Sequence, residues 1–581
     1  MSHPRTVLPG IRGISAVVFS AVIGAVSPVF AAPELIVINA DVRTVDPQAP
    51  RVEAFAVEGR RFSAVGSTAE IRALADSSTQ IIDAAGRTVT PGFIDSHSHM
   101  DGNAPVVAGV DLAYVEDKAQ WLRLIREADE RLPEGEWLTG GYWDHTLSDG
   151  EYPTRQMLDA VVPDRPIFLT HIDGHYAWVN SLALEMTAVT ADTPVPAGGE
   201  IIVDPVSRAP TGILLEGAMS VVRDHIPPRS DARRREGLEQ MQRYANSFGI
   251  TGLHQMRGLD DYLHIVETGD PSLRVWYGHF GLDMNPETWD ETLDTVLQVS
   301  EDTEERVAAT KKEDRTGPLL QAGFVKLIND GVLSAHTAVL MEDYHDRPNW
   351  RGEYITEPDD LTDLVYRTTA RGLPVAIHSI GDAAVSAALD AIEASQDNTV
   401  GLPNRIEHIE LLHPDDVPRF RELGVVASMQ PNHCTNAIGY VPARVGEERE
   451  DRAYVWQTLL DGGAHLVFGA DYPTSPLSPL TQLSDAVFRE SPFGFNNGRP
   501  WHPEESVNFD DALHAYTQAG ADITPWKDDI GSISVGKWAD FVVLSGQVPE
   551  PMDESFRALV VDHTYFAGRE VYARLRTPAG L

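Results

Sequence analysis

The sequence predicts an α/β chain: a TIM (β/α)8 barrel, a small discontinuous β-sandwich domain formed by both chain ends, and an inserted lid segment. Three observations lead there. Eight short β-rich runs alternate with helix-length stretches through the middle of the chain, as repeated βα units do. Both ends have a different texture, short apolar runs broken by glycine and polar residues. The interval between the first and second β-rich runs is too long for one crossover.

The eight runs are Val89 to Ile94, Ile250 to Leu253, Leu273 to Tyr277, Gly323 to Leu327, Pro374 to Ile377, Arg405 to Glu407, Val425 to Met429 and His465 to Ala470. Eight parallel strands close a TIM barrel. Leu35 to Ile38, Ala54 to Val57 and Arg61 to Val65 precede them, and Phe541 to Leu544 and Ala558 to Val561 follow. Neither end buries a core alone, so residues 32–90 and 529–581 are expected to form one composite domain beside a barrel over 91–528. The insertion spans about 103–235, and its Trp, Tyr and His content suggests a segment folded over the barrel mouth.

Residues 1–31 read as a secretory signal peptide: Arg5 and Arg12 precede an apolar stretch from Ile14 to Val26, and Val29-Phe30-Ala31 supplies a small-residue cleavage site. The apolar stretch is shorter than the roughly 20 residues a membrane span needs. The expectation is an exported protein, periplasmic or secreted, with no membrane insertion once the signal is removed. Cys434 is the only cysteine in the 581 residues, so no internal disulfide forms and packing must hold the fold. The formal net charge of -41 argues against a nucleic-acid or anionic-membrane partner, because the protein's own field repels phosphates. Oligomeric state is left open, a homo-oligomer included.

Chemistry enters at the ends of the runs. Asp95-Ser-His97-Ser-His99 closes the first, and on an extended segment two histidines one residue apart project to the same side and can grip one cation. Lys326, His378, His408 and Asp471 stand at or near the ends of four later runs. Catalytic residues of these barrels come from the C-terminal ends of several strands, so the six positions are expected to converge on one mouth. Scattered core histidines have no reason to obey that rule. No Gly-x-Ser-x-Gly stands at a strand-to-helix turn, so a serine nucleophile has no support.

With these motifs in view, the sequence resembles the amidohydrolase superfamily, in particular the branch of the N-substituted formamide deformylases and related large amidohydrolases. The resemblance runs through Thr90-Pro-Gly-Phe-Ile-Asp-Ser-His-Ser-His99, Asp173-Gly-His-Tyr-Ala-Trp-Val-Asn-Ser181, the strand-end ligands and Gly531-Ser-Ile-Ser-Val-Gly-Lys-Trp-Ala-Asp540. It implies two divalent metal ions: one on His97, His99 and Asp471, the other on His378 and His408, with a carboxylated Lys326 (N6-carboxylysine) bridging them. An ammonium would repel a dication, whereas the CO2 adduct of the neutral amine is an anionic ligand. The other reading of Lys326 is an ordinary lysine holding a substrate carboxylate beside a single metal. Nitrogen and oxygen donors without thiolate suit zinc best, with manganese, iron or nickel as alternatives.

The resemblance further implies hydrolysis of a carbon–nitrogen bond other than a peptide bond, in a small-molecule N-acyl or N-formyl amide, with Asp471 as the catalytic general base and acid. Trp143, His175 and His433 are the expected substrate contacts, although Trp143 and Trp178 fit plain packing of the lid equally well. His336 stands where relatives are expected to carry arginine or a small polar residue, which weakens any transfer of substrate specificity. Asp330 and Asp382 read either as groups orienting ligands or as caps of the helices that follow. Pocket shape decides between amide hydrolysis and the opening of cyclic amides or cleavage of lactones, esters or phosphoesters. A non-catalytic exported binding protein would be marked by a lost ligand, and all six positions are filled.

Overall fold

The computed structural model describes residues 32–575 other than 102–108, 114, 116, 146, 147, 149, 173, 175, 197, 198, 229, 281–284 and 399. The expected leader lies outside them. Eight strands form one sheet in chain order: β1 (Phe93–Ser98), β2 (Ile250–Gln255), β3 (Arg274–Phe280), β4 (Leu320–Ile328), β5 (Val375–Ser379), β6 (Arg405–His408), β7 (Val426–Met429) and β8 (His465–Phe468). Every neighbouring pair is parallel. Buried branched residues such as Val375, Ile377, Ile406 and Val467 fill the strands, as a sheet covered on both faces requires.

The barrel closes just beyond β8. A parallel bridge joins Ser98 to Tyr472. Asp471 donates its backbone N–H to the His97 carbonyl at 2.8 Å, and His99 donates to the Tyr472 carbonyl at 2.9 Å. The Asp95 carboxylate accepts the Ala470 N–H at 3.1 Å and the Tyr516 hydroxyl at 3.2 Å, which clamps the seam from the side. Gly469 is required there: a Cβ would stand 2.5 Å from the His97 nitrogen.

The expected first run is divided between two sheets. Thr88–Pro91 is a strand of the small domain, and only from Phe93 does the chain enter the barrel. The change happens at Gly92, whose N–H donates to the Asp540 carbonyl at 2.9 Å and whose Cβ would meet Thr251 Oγ1 at 2.1 Å. A continuous apolar run carries no mark of such a switch.

The two chain ends do share a sandwich. One sheet orders Arg61–Gly66, Ala54–Glu58, Leu35–Ile38 and Gln80–Asp83; the other orders Arg569–Ala573, Val561–Phe566, Phe541–Leu544, Thr88–Pro91, Asp41–Arg43 and Arg51–Val52. Phe55, Phe62, Val89, Phe541 and Tyr565 lie in the core between them. Phe541 stacks on Tyr565 at 4.3 Å and meets Phe55 edge-on at 5.0 Å, so residues more than 450 apart in sequence hold one another.

The inserted segment is a domain rather than a loop. Its six strands run Glu200–Val203, Pro210–Leu215, Tyr176–Val179, Phe168–His171, Thr139–Trp143 and Gly109–Asp111 across a mixed sheet. Trp121, Trp143, Trp178 and Ile125 pack on one face, and Phe168, Leu184, Leu214 and Val222 on the other. The helix Asp231–Ser247, which spans the expected end of the insertion, contacts β2 and is part of the barrel. No helix among the described residues is long and apolar enough to cross a membrane.

Arg274 of β3 joins the barrel to the sandwich. Its guanidinium donates to both Asp540 oxygens at 2.6 and 2.9 Å and to the carbonyls of Thr316 and Pro318, each at 2.7 Å, with both side chains buried. Removing one partner of a buried pair leaves an uncompensated charge and costs about 3–5 kcal/mol. Asp540→Ala is therefore expected to lower the unfolding free energy by about that amount in a denaturant titration; a loss below about 1 kcal/mol, the range of an exposed pair, would contradict this joint.

Candidate metal centre

The strand ends deliver the expected residues to one place. His97 and His99 leave β1, Lys326 lies near the end of β4, His378 in β5 and His408 at the end of β6, and Asp471 follows β8 by three residues. Register aligns them: Phe280 pairs with Lys326, Ile328 with His378 and Ser379 with His408. His408 and Asp471 adopt left-handed backbone conformations, with φ of 76° and 57°. Such φ values are uncommon outside glycine and asparagine, and they persist only where surrounding structure imposes them.

Two groups of ligand atoms result, each with all its members within 4.8 Å of one another: His97, His99 and Asp471, and His408, His433 and Asp471. In the first, His97 Nε2 and His99 Nε2 lie 3.4 and 3.3 Å from the same Asp471 Oδ1. In the second, His433 Nε2 lies 3.8 Å from Asp471 Oδ2. Asp471 joins the groups, one oxygen to each.

The donors are left waiting for a partner. His97 Nε2, Lys326 Nζ, His433 Nε2 and Asp471 Oδ1 are all buried with no hydrogen bond among the described residues. Buried polar atoms are normally satisfied, so a cluster of orphaned nitrogen and oxygen donors at one barrel mouth fits a bound cation. The residues present fit the metal that the sequence leads one to expect.

Electrostatics prepares the histidines as neutral ligands. Burial, reinforced by Lys326, pushes His97 down to about 4 and His378 down to about 3, and burial with His378 beside it holds His408 well below the usual histidine range. Burial would raise Asp471, but His97 and His99 override it and keep the carboxyl well below its ordinary value. Burial also lowers Lys326, to about 8.

Proton positions follow from the partners on the far side of each ring. His97 Nδ1–H donates to Glu407 Oε2 at 2.6 Å, which leaves Nε2 as the lone-pair nitrogen. His408 Nδ1–H donates to Gln430 Oε1 at 2.8 Å, with the same consequence. His378 is reversed: its Nε2–H donates to the Gly331 carbonyl at 3.1 Å and Nδ1 is the free lone pair. Metal-bound histidines commonly carry such a partner, which fixes tautomer and ring orientation.

Glu407, Arg405 and Gln430, which sequence reasoning missed, stand behind the candidate ligands. Arg405 Nε pairs with Glu407 Oε1 at 2.7 Å, its guanidinium lies 4.4 Å over the Phe324 ring of β4, and it approaches His254 Nδ1 of β2 at 2.9 Å. These strands are not neighbours in the sheet, so the contacts cross the barrel interior. Burial would raise Glu407, yet Arg405 and His97 hold it well below the usual carboxylate range. The signal was the alternation Arg405-Ile-Glu407, polar on one side of a strand with no solvent to face.

The remaining expectations divide. His433, expected as a substrate contact, stands at the mouth with its Nε2 in one of the two groups that could hold a cation, and His378 sits beside His408 with ring centroids 4.5 Å apart. Trp143 is corrected: its ring is fully buried among Trp121 and Trp178 and its N–H donates to the Leu169 carbonyl at 3.0 Å, so it packs the inserted domain instead of lining the mouth. His175 lies outside the described residues. Asp330 accepts the backbone N–H groups of Val339, Ile380 and Gly381, each at 2.9 Å, and braces the loop after β5. Asp382 opens the helix Asp382–Ala394 and accepts from Met341 and Ala383. His336 pairs with Asp346 at 3.0 Å.

Known proteins agree with this architecture. Residues 80–572 match the model of the amidohydrolase family. The protein LONG AFTER FAR-RED 3 of Arabidopsis thaliana is 32% identical over 552 residues, 93% of this chain and 91% of that one. N-substituted formamide deformylase of Arthrobacter pascens is 28% identical over 564 residues, 93% of this chain and 98% of that one. Among solved structures, an uncharacterized metal-dependent hydrolase from Pyrococcus furiosus gives a TM-score of 0.67 at 27% identity, covering 88% of this chain and 98% of that one. With its ligand-bearing strand ends and a family match over most of its length, the chain belongs to the amidohydrolase family and is a hydrolase of carbon–nitrogen bonds.

Proposed function

We propose that this chain hydrolyses the C–N bond of an N-acyl or N-formyl amide at a pair of divalent cations, zinc by the chemistry of its donors. The observation that carries the reading is the sharing of Asp471 between two histidine groups, in which His97 Nε2, His433 Nε2 and Asp471 Oδ1 are buried with no hydrogen bond among the described residues. The likeness to N-substituted formamide deformylase of Arthrobacter pascens supports the amide class. His97, His99 and Asp471 would hold one cation, and His408 with His378 or His433 the other. Bound there, the cations supply Lewis acidity toward a carbonyl oxygen and lower the pKa of water.

The chain's residues do the rest. Asp471, ionised, takes a proton from the attacking water and hands it to the nitrogen as the C–N bond breaks, giving a carboxylic acid and an amine. Glu407 keeps the His97 proton on Nδ1, so that Nε2 presents its lone pair to the site. Lys326 joins the ligands as a carbamate: its neutral amine adds to CO2, forming an N–C bond and releasing a proton. Support for that step is a buried Nζ without a hydrogen-bond partner on a strand end between histidines.

The experiment is a panel of N-formyl and N-acyl amines alongside lactones, esters and phosphoesters, assayed on the zinc-loaded chain, with peptide mass spectra that preserve an adduct on Lys326. Preferred release of amine, with loss of both activity and one cation in Lys326→Ala, is expected. Turnover confined to the oxygen esters would overturn the amide reading, and full activity in Lys326→Ala would overturn the carbamate. Glu407→Gln is expected to weaken zinc affinity or activity by about 10–100-fold while the far-ultraviolet spectrum is kept; unchanged affinity and activity would remove Glu407 from the site.

A further inference from the structure

A second set of ligand-type side chains lies in the inserted domain, on residues that the barrel chemistry leaves unused. Asp144 and His145 follow the strand Thr139–Trp143, and His171 ends the parallel strand Phe168–His171 beside it. Register brings them together, since Trp143 pairs with His171 across an irregularity in the ladder. Their ligand atoms lie within 4.8 Å of one another.

The spacing is of the same order as that of the barrel mouth. His145 Nδ1 is 3.3 Å from His171 Nε2, and Asp144 Oδ1 is 3.7 Å from the same nitrogen. The corresponding distances around Asp471 Oδ1 are 3.3 and 3.4 Å. Tetrahedral zinc with bonds of about 2.0–2.1 Å to nitrogen sets two nitrogen ligands roughly 3.3 Å apart.

The rings are also held. His171 meets Trp143 edge-on at 4.6 Å and Tyr176 at 4.8 Å, and His145 lies 4.6 Å from Tyr152. Trp143 is itself fixed by the core of the inserted domain, and the His171 side chain is only 5% exposed. Such packing gives the cluster the preformed geometry that a metal site needs.

We propose that Asp144, His145 and His171 bind a further divalent cation of the zinc class, separate from the barrel mouth, which staples the ends of two parallel strands of the inserted sheet. Two histidines and a carboxylate satisfy zinc with one position left for water.

Zinc-edge anomalous scattering from crystals of the unsubstituted full chain grown with zinc tests this without a variant: a peak among the three side chains is expected. A peak at the barrel mouth with none here overturns the site and leaves the mouth intact. Zinc titration of His145→Gln/His171→Gln should read one ion fewer per chain than the unsubstituted protein, with amide hydrolysis retained and a lower melting temperature under zinc. An equal zinc count in the two proteins overturns it as well.

Discussion

The hydrogen bond from the Asp471 backbone to the His97 carbonyl does two jobs at once: it closes the barrel between its last and first strands, and it sets the distance between two candidate metal ligands. The β8 ladder ends at Phe468, so closure falls to the three residues beyond it. Gly469 lets the chains touch, Ala470 donates to Asp95, and Asp471 turns through a left-handed conformation that swings its carboxylate toward His97 and His99. The geometry of the candidate site is thereby tied to the stability of the whole barrel rather than to a loop. Strain at Asp471 and His408 is sustained by that seam and by the ladder behind it.

Burial supplies the second constraint. Removing His97, His378 and His408 from water disfavours their charged forms, so each presents a lone pair at neutral pH without any base to deprotonate it. The direction of each lone pair is chosen by the partner behind it, Glu407, Gly331 or Gln430. Glu407 can remain ionised in the barrel interior because Arg405 faces it, and Arg405 in turn is covered by Phe324. The barrel uses one of its interior layers for this charged pair where an apolar layer would pack as well. The return is a fixed His97.

Much of the fold was legible because barrel strands are short, apolar and separated by helices: β2 to β8 fall on the expected runs. The first run misled because Thr88–Pro91 and β1 are contiguous in sequence but belong to different sheets, and only three-dimensional packing at Gly92 separates them. Five of the six expected ligand positions have atoms in the two joined groups or buried without a partner, since strand-end placement is a topological rule that one sequence can display. His433 was placed at the mouth as a substrate contact, and the sequence did not show that its ring reaches Asp471, because a helix start after β7 does not reveal how far a ring reaches. Trp143 fitted substrate contact and lid packing equally well; its burial depends on Trp121 and Trp178, which pack on it from other elements of a domain that the sequence showed only as a long interval. Arg405 and Glu407 were overlooked because a charged side chain inside a barrel contradicts the usual apolar pattern.

The central claim is that the mouth of this barrel works only with cations bound among His97, His99, His408 and Asp471. The most direct measurement is amide hydrolysis followed through removal and return of metal, on protein purified without added metal, stripped with chelator and titrated with zinc under elemental analysis. Activity that disappears with the bound ions and returns in step with them is the result predicted. Undiminished hydrolysis by metal-free protein would contradict it.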